Sequence, residues 1–180
     1  RDKKEMEEMI RSHNWEKFIR RVPVKKGDFF QIDPGCLHAI KGGTLILETQ
    51  QSSDITYRVY DYDRLSDGKP RPLHVEQSIA TITAPFVPYK GEPAVEKLEG
   101  AVHTHLITCP YYSVDKYDIC GGFAKDFASF FTNVSVLEGE GTVDGIPVKK
   151  GSHFILPYQY GTCRIEGNLS IICSNPEKTS

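Results

Sequence analysis

The chain has 180 residues, of which 39% are hydrophobic, and its 22 basic and 24 acidic side chains give a formal net charge of −2. This length and composition predict one or two compact domains with buried cores. A membrane span is excluded, because apolar runs such as 44–47 and 154–157 are far shorter than the roughly 20 residues that cross a bilayer. Nucleic acid is also excluded as a partner, since no block of lysine and arginine is long enough to bind it. We therefore expect a small-molecule ligand.

Cysteine usage bears on the cellular compartment. The five cysteines are widely spaced and include no Cys-x-x-Cys pair, which indicates neither a disulfide framework nor a cysteine zinc site. We interpret them as reduced thiols of a cytoplasmic protein. We expect the protein to be a monomer or a homodimer. The first twenty residues are charged and helix-patterned, unlike a signal peptide. The chain begins at Arg1 inside that pattern, so we interpret it as the later part of a longer protein.

The N-terminal residues 2–20 place Met and aromatic or aliphatic side chains at helical spacings among charged ones. This pattern predicts one or two short amphipathic helices. His13 and Asn14 are expected to separate them, with Asn14 capping the second helix. A further helix is predicted over residues 73–82, opened by His74 as a capping or surface residue.

Between and after these helices the period becomes that of extended strands separated by glycine and proline turns. In the first half, β-rich runs occupy residues 22–24, 29–32, 37–40, 44–49 and 56–60. In the second half, they occupy residues 104–108, 111–119, 127–137, 141–143, 153–156, 161–165 and 169–172. The fold class is therefore predicted to be mainly β, with antiparallel jelly-roll barrels and a few short helices.

An internal repeat and a proline-rich segment indicate two domains. Residues 148–154 echo residues 24–30, since each stretch reads Val-Lys-Lys-Gly, a polar residue and then aromatic or histidine side chains. Three prolines in residues 84–93 predict a linker. We place the domains at residues 1–84 and 85–180.

Three residues whose burial costs free energy lie close together in the first half of the sequence. His38 follows a Pro-Gly turn, Glu48 lies in an apolar run, and Arg58 lies in an aromatic run. Ionised groups on a half-buried β-surface must be paired or bound to a ligand. A neutral imidazole suits zinc, iron or copper, but His38 alone also fits a buried histidine bonded to a carbonyl. Arg58 equally fits a salt bridge to Asp54 or Asp61.

Longer motifs give these residues a family context. The spacing from Gly27 to Pro34-Gly35-Cys36-Leu37-His38 resembles the second motif of the cupin superfamily, although the proline lies one place nearer the glycine. Residues 45–64 read Leu-Ile-Leu-Glu-Thr-Gln-Gln-Ser-Ser-Asp-Ile-Thr-Tyr-Arg-Val-Tyr-Asp-Tyr-Asp-Arg. This run, together with residues 71–74 and 149–157, resembles type I mannose-6-phosphate isomerases of the short bacterial form, and the resemblance covers essentially the whole chain.

The resemblance implies a zinc-dependent aldose–ketose isomerase that interconverts mannose 6-phosphate and fructose 6-phosphate through a cis-enediolate. It maps a zinc ligand onto His38 and an essential arginine onto Arg58, with Tyr57 beside it as a substrate-binding residue. Glu48 is then a catalytic base, an orienting partner of His38 or a counter-ion of Arg58. The family's earlier zinc ligands do not occur in these residues, so the chain corresponds to the end of the catalytic cupin barrel plus a second, degenerate barrel. We expect the other ligands before Arg1, and the chain alone to be inactive.

The second barrel is predicted to be metal-free and structural. Thr162 occupies the place of a ligand after Gly151, and His153 is interpreted as a surface or capping residue. His103 and His105 have the spacing that puts two imidazoles on one strand face, but no glutamate follows at the distance of a cupin metal motif, so they are predicted to face solvent. Two alternative functions remain, a non-catalytic cupin that binds sugar phosphates and a metal-dependent cupin oxygenase.

Overall fold

The computed structural model describes residues 2–53, 55–128 and 130–177. The chain divides into two compact units, a first unit of Arg1–Glu48 with Ser52–Lys90 and a second unit of Thr49–Gln51 with Gly91–Ser180. The described residues are mainly β with short helices, as the sequence predicts. The assignment of residues 1–84 to a zinc-binding catalytic domain and of 85–180 to a metal-free one stays a prediction.

The helices of the first unit confirm the periodic pattern. They are α1 (Lys3–Arg11), α2 (Trp15–Phe18) and α3 (Val75–Thr81). Asp2 caps α1 by accepting a hydrogen bond from the backbone N–H of Glu5 at 2.8 Å. Asn14 precedes α2 as predicted, but its side chain makes no capping hydrogen bond. None of the helices in the described ranges is long and apolar enough to cross a membrane.

A small apolar cluster and an ion pair hold the first unit together. The buried members of the cluster are Ile10, Val59 and Ile82, and partly buried side chains from all three helices pack against them. The Arg11 guanidinium donates two hydrogen bonds, of 2.7 and 2.9 Å, to the Glu76 carboxylate and so joins α1 to α3. This bidentate geometry is the strong form of an arginine–carboxylate contact.

The predicted strands of the first half are wrong. In the described part of residues 22–60 the backbone forms no strand, and the first unit contains β1 (Leu65–Ser66) and β2 (Lys69–Pro70) instead. A strand requires a neighbour to receive its backbone hydrogen bonds, and these runs pair with no strand in the described chain. Many of their apolar side chains are exposed, including Ile46 and, at 92%, Leu45. The sequence pattern of these runs is that of strands, but in the described residues no neighbouring strand supplies their backbone hydrogen bonds.

In the second unit the predicted strands pair into one antiparallel sheet, which confirms the β prediction for this half of the chain. The strands are β3 (Ala94–Leu98), β4 (Ala101–Thr108), β5 (Tyr112–Asp126), β6 (Thr132–Val143), β7 (Ile146–Lys149), β8 (His153–Leu156) and β9 (Thr162–Pro176). Their order is β3-β4-β5-β9-β6-β7, with β8 also paired to β6. The strand β3 was not predicted.

Side-chain alternation along these strands directs one face into a single apolar core. Tyr117 of β5, Ile171 of β9 and Val136 of β6 are register neighbours, and each is at most 2% exposed. The core extends along the sheet to Ala101 of β4. The second unit is thus built around burial of this face.

The internal repeat is visible in two turns that share a hydrogen-bond pattern. The backbone N–H of Lys25 donates to the Asp28 carboxylate at 2.9 Å, and Asp28 N–H returns a bond to Lys25 O at 3.2 Å. In the second copy, Lys149 N–H donates to the Ser152 hydroxyl at 3.0 Å, and Ser152 N–H bonds Lys149 O at 2.8 Å. The third residue of each turn is a glycine, with φ of 90° and 84°.

Candidate functional site

The turn before His38 is locked in place by close packing in the first unit. Gly35 has φ of 86°, and a Cβ at this position would lie 2.5 Å from the Thr83 hydroxyl oxygen and 2.9 Å from Thr81 O. The backbone N–H of Thr83 donates to Gly35 O at 3.0 Å. Only glycine fits here, so the Pro-Gly turn fixes the start of the segment that carries His38.

His38 itself is exposed, and its ring is oriented by one hydrogen bond. Its Nδ1 lies 3.0 Å from Cys36 O. Because a carbonyl oxygen only accepts, Nδ1 carries the proton, and the lone pair of the neutral ring is on Nε2. Metal-binding histidines are commonly held in this way, with the second nitrogen bonded to a carbonyl. The arrangement fits a single metal ligand, although in the described chain His38 belongs to no group of three metal-ligating side chains.

Arg58 and Tyr57 lie beside His74, which is half-buried and takes the predicted capping position before α3, although its side chain makes no capping hydrogen bond. The backbone N–H of Arg58 donates to His74 Nδ1 at 3.2 Å, and His74 N–H donates to Arg58 O at 2.7 Å. The Tyr57 and His74 rings have centroids 6.0 Å apart. Buried Val59 anchors the segment from the next position. His74 thus positions the backbone of Arg58, a contact that lies sixteen residues away in sequence and that sequence spacing alone did not indicate.

The predicted alternative salt bridge from Arg58 to Asp61 is wrong, because other arginines occupy Asp61. Its carboxylate is 7% exposed and accepts hydrogen bonds from Arg71, at 2.6 Å from Nε, and from Arg64, at 2.7 Å. The hydrogen bonds from Arg71, with those from Arg64, hold the pKa of the Asp61 carboxyl below its usual value against the opposing effect of burial. The other alternative partner, Asp54, lies outside the described residues.

Glu48 is exposed. No hydrogen bond or ion pair between described residues links its carboxylate to His38 or to Arg58. Its possible roles as a base, an orienting partner or a counter-ion therefore stay predictions.

A second constellation lies in the second unit, on β4 and β5. His103 Nε2 lies 2.7 Å and His105 Nδ1 lies 2.9 Å from the same carboxylate oxygen, Oδ1 of Asp115. All three side chains are partly buried. Their three ligand atoms lie within 4.8 Å of one another, which makes them a group that could hold a metal ion.

The prediction that His103 and His105 face solvent is therefore wrong. Both lie on the core side of the sheet, where His103 stacks on the buried Tyr117 ring with centroids 4.7 Å apart. The register places Asp115 directly opposite His105 and Tyr117 opposite His103. The sequence shows the His-x-His spacing, but the third side chain of the group, Asp115, comes from the next strand. Its place beside the two histidines depends on the register between β4 and β5, which the sequence alone does not give.

Comparison with known proteins agrees with this fold. The family model described as mannose-6-phosphate isomerase, cupin domain, matches residues 102–176. Mannose-6-phosphate isomerase ManA of Bacillus subtilis (strain 168) is 43% identical over 178 residues, which cover 96% of this chain and 56% of that protein. A mannose-6-phosphate isomerase of Streptococcus mutans is 41% identical, covering 97% and 57%.

A solved structure gives the same result at the level of the backbone. The crystal structure of the mannose 6-phosphate isomerase from Bacillus subtilis matches with a TM-score of 0.92 and 42% identity, covering 97% of this chain and 57% of that one. The chain thus spans a little over half the length of the relatives it matches. These similarities confirm the predicted cupin fold, and over nearly all of its length the chain is similar to part of the mannose-6-phosphate isomerases.

Proposed function

We propose that the protein carrying this chain is a cytoplasmic, zinc-dependent isomerase that interconverts mannose 6-phosphate and fructose 6-phosphate. The observation that carries the proposal is the identity of 41 to 43% to relatives named mannose-6-phosphate isomerase, over nearly all of this chain. In this proposal His38 is one zinc ligand, and the remaining ligands come from outside the 180 residues. The substrate is a small sugar phosphate.

The geometry of His38 supports its proposed role. With Nδ1–H donated to Cys36 O, Nε2 presents its lone pair from an exposed ring on a turn that Gly35 makes rigid. Such a ligand needs no change of tautomer to bind a metal. When bound, zinc supplies Lewis acidity toward a carbonyl oxygen.

The reaction gives the other residues their roles. Moving a proton between C1 and C2 of an open-chain sugar develops negative charge on oxygen in a cis-enediolate, so the site needs a cation and a base. The Arg58 guanidinium is the proposed cation, and its fixed fork of N–H donors suits an enediolate or a phosphate oxygen. Tyr57, 42% exposed beside it, is the proposed substrate contact. The exposed Glu48 carboxylate is the proposed base.

Substitution of Arg58 tests the proposal. Both hydrogen bonds that hold residue 58 to His74 use its backbone, so Arg58→Ala keeps them and removes only the guanidinium. In the complete protein that carries this chain, kcat/KM for mannose 6-phosphate should fall about 100- to 1,000-fold, the usual loss for one donor to a developing oxyanion. The control is the exposed Arg20. Arg20→Ala should leave kcat/KM unchanged in an assay that couples the formation of fructose 6-phosphate to a measurable signal.

Metal removal tests the proposed dependence of the activity on zinc. Activity should disappear with a chelator and return with ZnCl2, and His38→Asn should weaken the response to zinc. Full activity in Arg58→Ala would contradict the role of the arginine. A zinc-replete protein that binds mannose 6-phosphate without converting it would overturn the isomerase assignment in favour of a sugar-phosphate-binding cupin.

A further inference from the structure

We propose that His103, His105 and Asp115 form a binding site for a divalent transition-metal ion, zinc by its ligand chemistry, in the second unit. The ligand atoms are His103 Nε2, His105 Nδ1 and Asp115 Oδ1. Two imidazoles and one carboxylate are a ligand set of zinc sites that keep a further position open for water or a small ligand. This inference does not rest on the proposed isomerase activity.

The distances already approach those of a metal site. Two atoms that each lie about 2.1 Å from one zinc ion are roughly 3.0 to 3.4 Å apart for right-angled to tetrahedral geometry. The two nitrogens lie 2.7 and 2.9 Å from the Asp115 oxygen, and all three ligand atoms lie within 4.8 Å of one another, so side-chain rotations can bring them around one ion. The side chains of His103, His105 and Asp115 are 21%, 37% and 16% exposed, so the site is open to ions from solvent.

The outward nitrogens of both rings face acceptors. His103 Nδ1 lies 3.8 Å from the carboxylate of Glu96, its register neighbour on β3. His105 Nε2 lies 3.1 Å from the Thr108 hydroxyl oxygen. When a metal takes the inward nitrogen of a neutral imidazole, the proton must sit on the outward one. The Thr108 hydroxyl oxygen can accept the hydrogen bond of the outward N–H of His105, as the outer partners of metal-bound histidines do, while the Glu96 carboxylate lies near the outward N–H of His103.

The surroundings hold the rings and keep one side of the site dry. The Tyr117 ring stacks on His103 at an interplanar angle of 9° and on Phe123 at 29°. Along the ladder, the register neighbour of Asp115 is Cys173, which is 1% exposed. An apolar floor of this kind limits water and strengthens the attraction between a cation and a carboxylate.

Zinc titration of the metal-stripped 180-residue chain tests the proposal by calorimetry. We expect one zinc per chain at this site. His105→Asn and Asp115→Asn should each weaken binding on the order of 100-fold, because even partners outside the ligand set cost 10- to 100-fold. The controls are His153→Asn, an exposed histidine bonded to Ser135 in the same unit, and His38→Asn. Neither control should change this site.

Nitrogen-15 spectra of the wild-type histidines give a readout that needs no variant to fold. On adding zinc, the resonances of His103 Nε2 and His105 Nδ1 should shift, while their outward nitrogens should become protonated. Unchanged affinity in His105→Asn and Asp115→Asn, loss of the zinc in His38→Asn instead, or absence of both nitrogen shifts would overturn the proposal and leave a hydrogen-bonded triad without a metal.

Discussion

The two units are built from similar sequence patterns and reach different structures. Both contain short β-rich runs separated by glycine turns, and both contain the Val-Lys-Lys-Gly turn. In the second unit these runs pair into a seven-stranded sheet around a buried core. In the described residues of the first unit, the apolar cluster has three buried members, and residues 22–60 form no strand.

The difference shows that a β pattern specifies a strand only when a partner strand is present. Side-chain alternation sets which face is apolar, but the backbone hydrogen bonds come from a neighbour. Ile171 meets Tyr117 and Val136 across the sheet and is 1% exposed. Leu45, in an equally apolar run, is 92% exposed. The turns form in both units because their hydrogen bonds join residues that are close in sequence. The strand ladders need a second strand from elsewhere in the chain.

Hydrogen exchange should show the largest contrast between the units. Amides of β5 and β9 are bonded on both sides within the sheet and should open only with global unfolding, which for a domain costs about 5 to 15 kcal/mol. The amides of residues 22–53 and 55–60 take part in no strand ladder and should exchange several orders of magnitude faster. Mass spectrometry of the 180-residue chain measures both.

An internal reference makes this comparison sharper. The N–H groups of Ser78 and Ile82 are bonded within or at the end of α3, so they should exchange at intermediate rates. Protection of residues 22–60 equal to that of β5 would show that these runs do have strand partners and would remove the contrast.

Truncation of core side chains should show the next largest effect. Ile171→Ala deletes buried methyl groups between Tyr117 and Val136 and should lower the free energy of unfolding by about 2 to 5 kcal/mol. Leu45→Ala removes a side chain that is 92% exposed, and the change should stay within about 0.5 kcal/mol. Urea unfolding followed by far-ultraviolet circular dichroism measures both. Equal losses would mean that Leu45 is covered in solution.

Sequence reasoning predicted the parts of the fold that depend on local chemistry. The helices, the break at His13 and Asn14, and the β character of the second unit follow from periodicity and turn residues. The missing strands of residues 22–60 were not predictable, because pairing partners are not encoded in a run itself. The same limit applied to the Asp115 carboxylate, which joins the two histidines through strand register.

For the candidate site, the resemblance pointed to His38, Glu48, Tyr57 and Arg58, and the structure adds contacts that no motif contains. His74 holds the backbone of Arg58 from a distant part of the sequence. Arg71 and Arg64, not Arg58, neutralise Asp61. Competition among several arginines for one carboxylate depends on side-chain reach in the folded chain.

Acid should affect the first unit through Asp61, with a smaller effect than core truncation. The pKa of Asp61 is lowered in the folded chain, chiefly by hydrogen bonds from Arg71. The unfolded chain therefore takes up a proton first as the pH falls. The stabilisation is present above the unfolded pKa, near 4, and is lost as the pH falls through the lower folded pKa. The single tryptophan, Trp15, stacks on Tyr60 in the first unit and reports its unfolding by fluorescence.

Asp61→Asn separates this ion-pair cluster from general acid effects. The variant should unfold at lower urea at pH 7, because two arginines lose their carboxylate, and its midpoint should change less between pH 5 and pH 2. Asp28→Asn is the control, since hydrogen bonds from Lys25 also lower the pKa of that carboxyl, but the Lys25 side chain is 84% exposed and a pair with so exposed a partner contributes little to stability. An unchanged acid dependence in Asp61→Asn would show that the apolar cluster alone holds the first unit. A flattened one would show that charges supply part of the stability that the second unit obtains by burial.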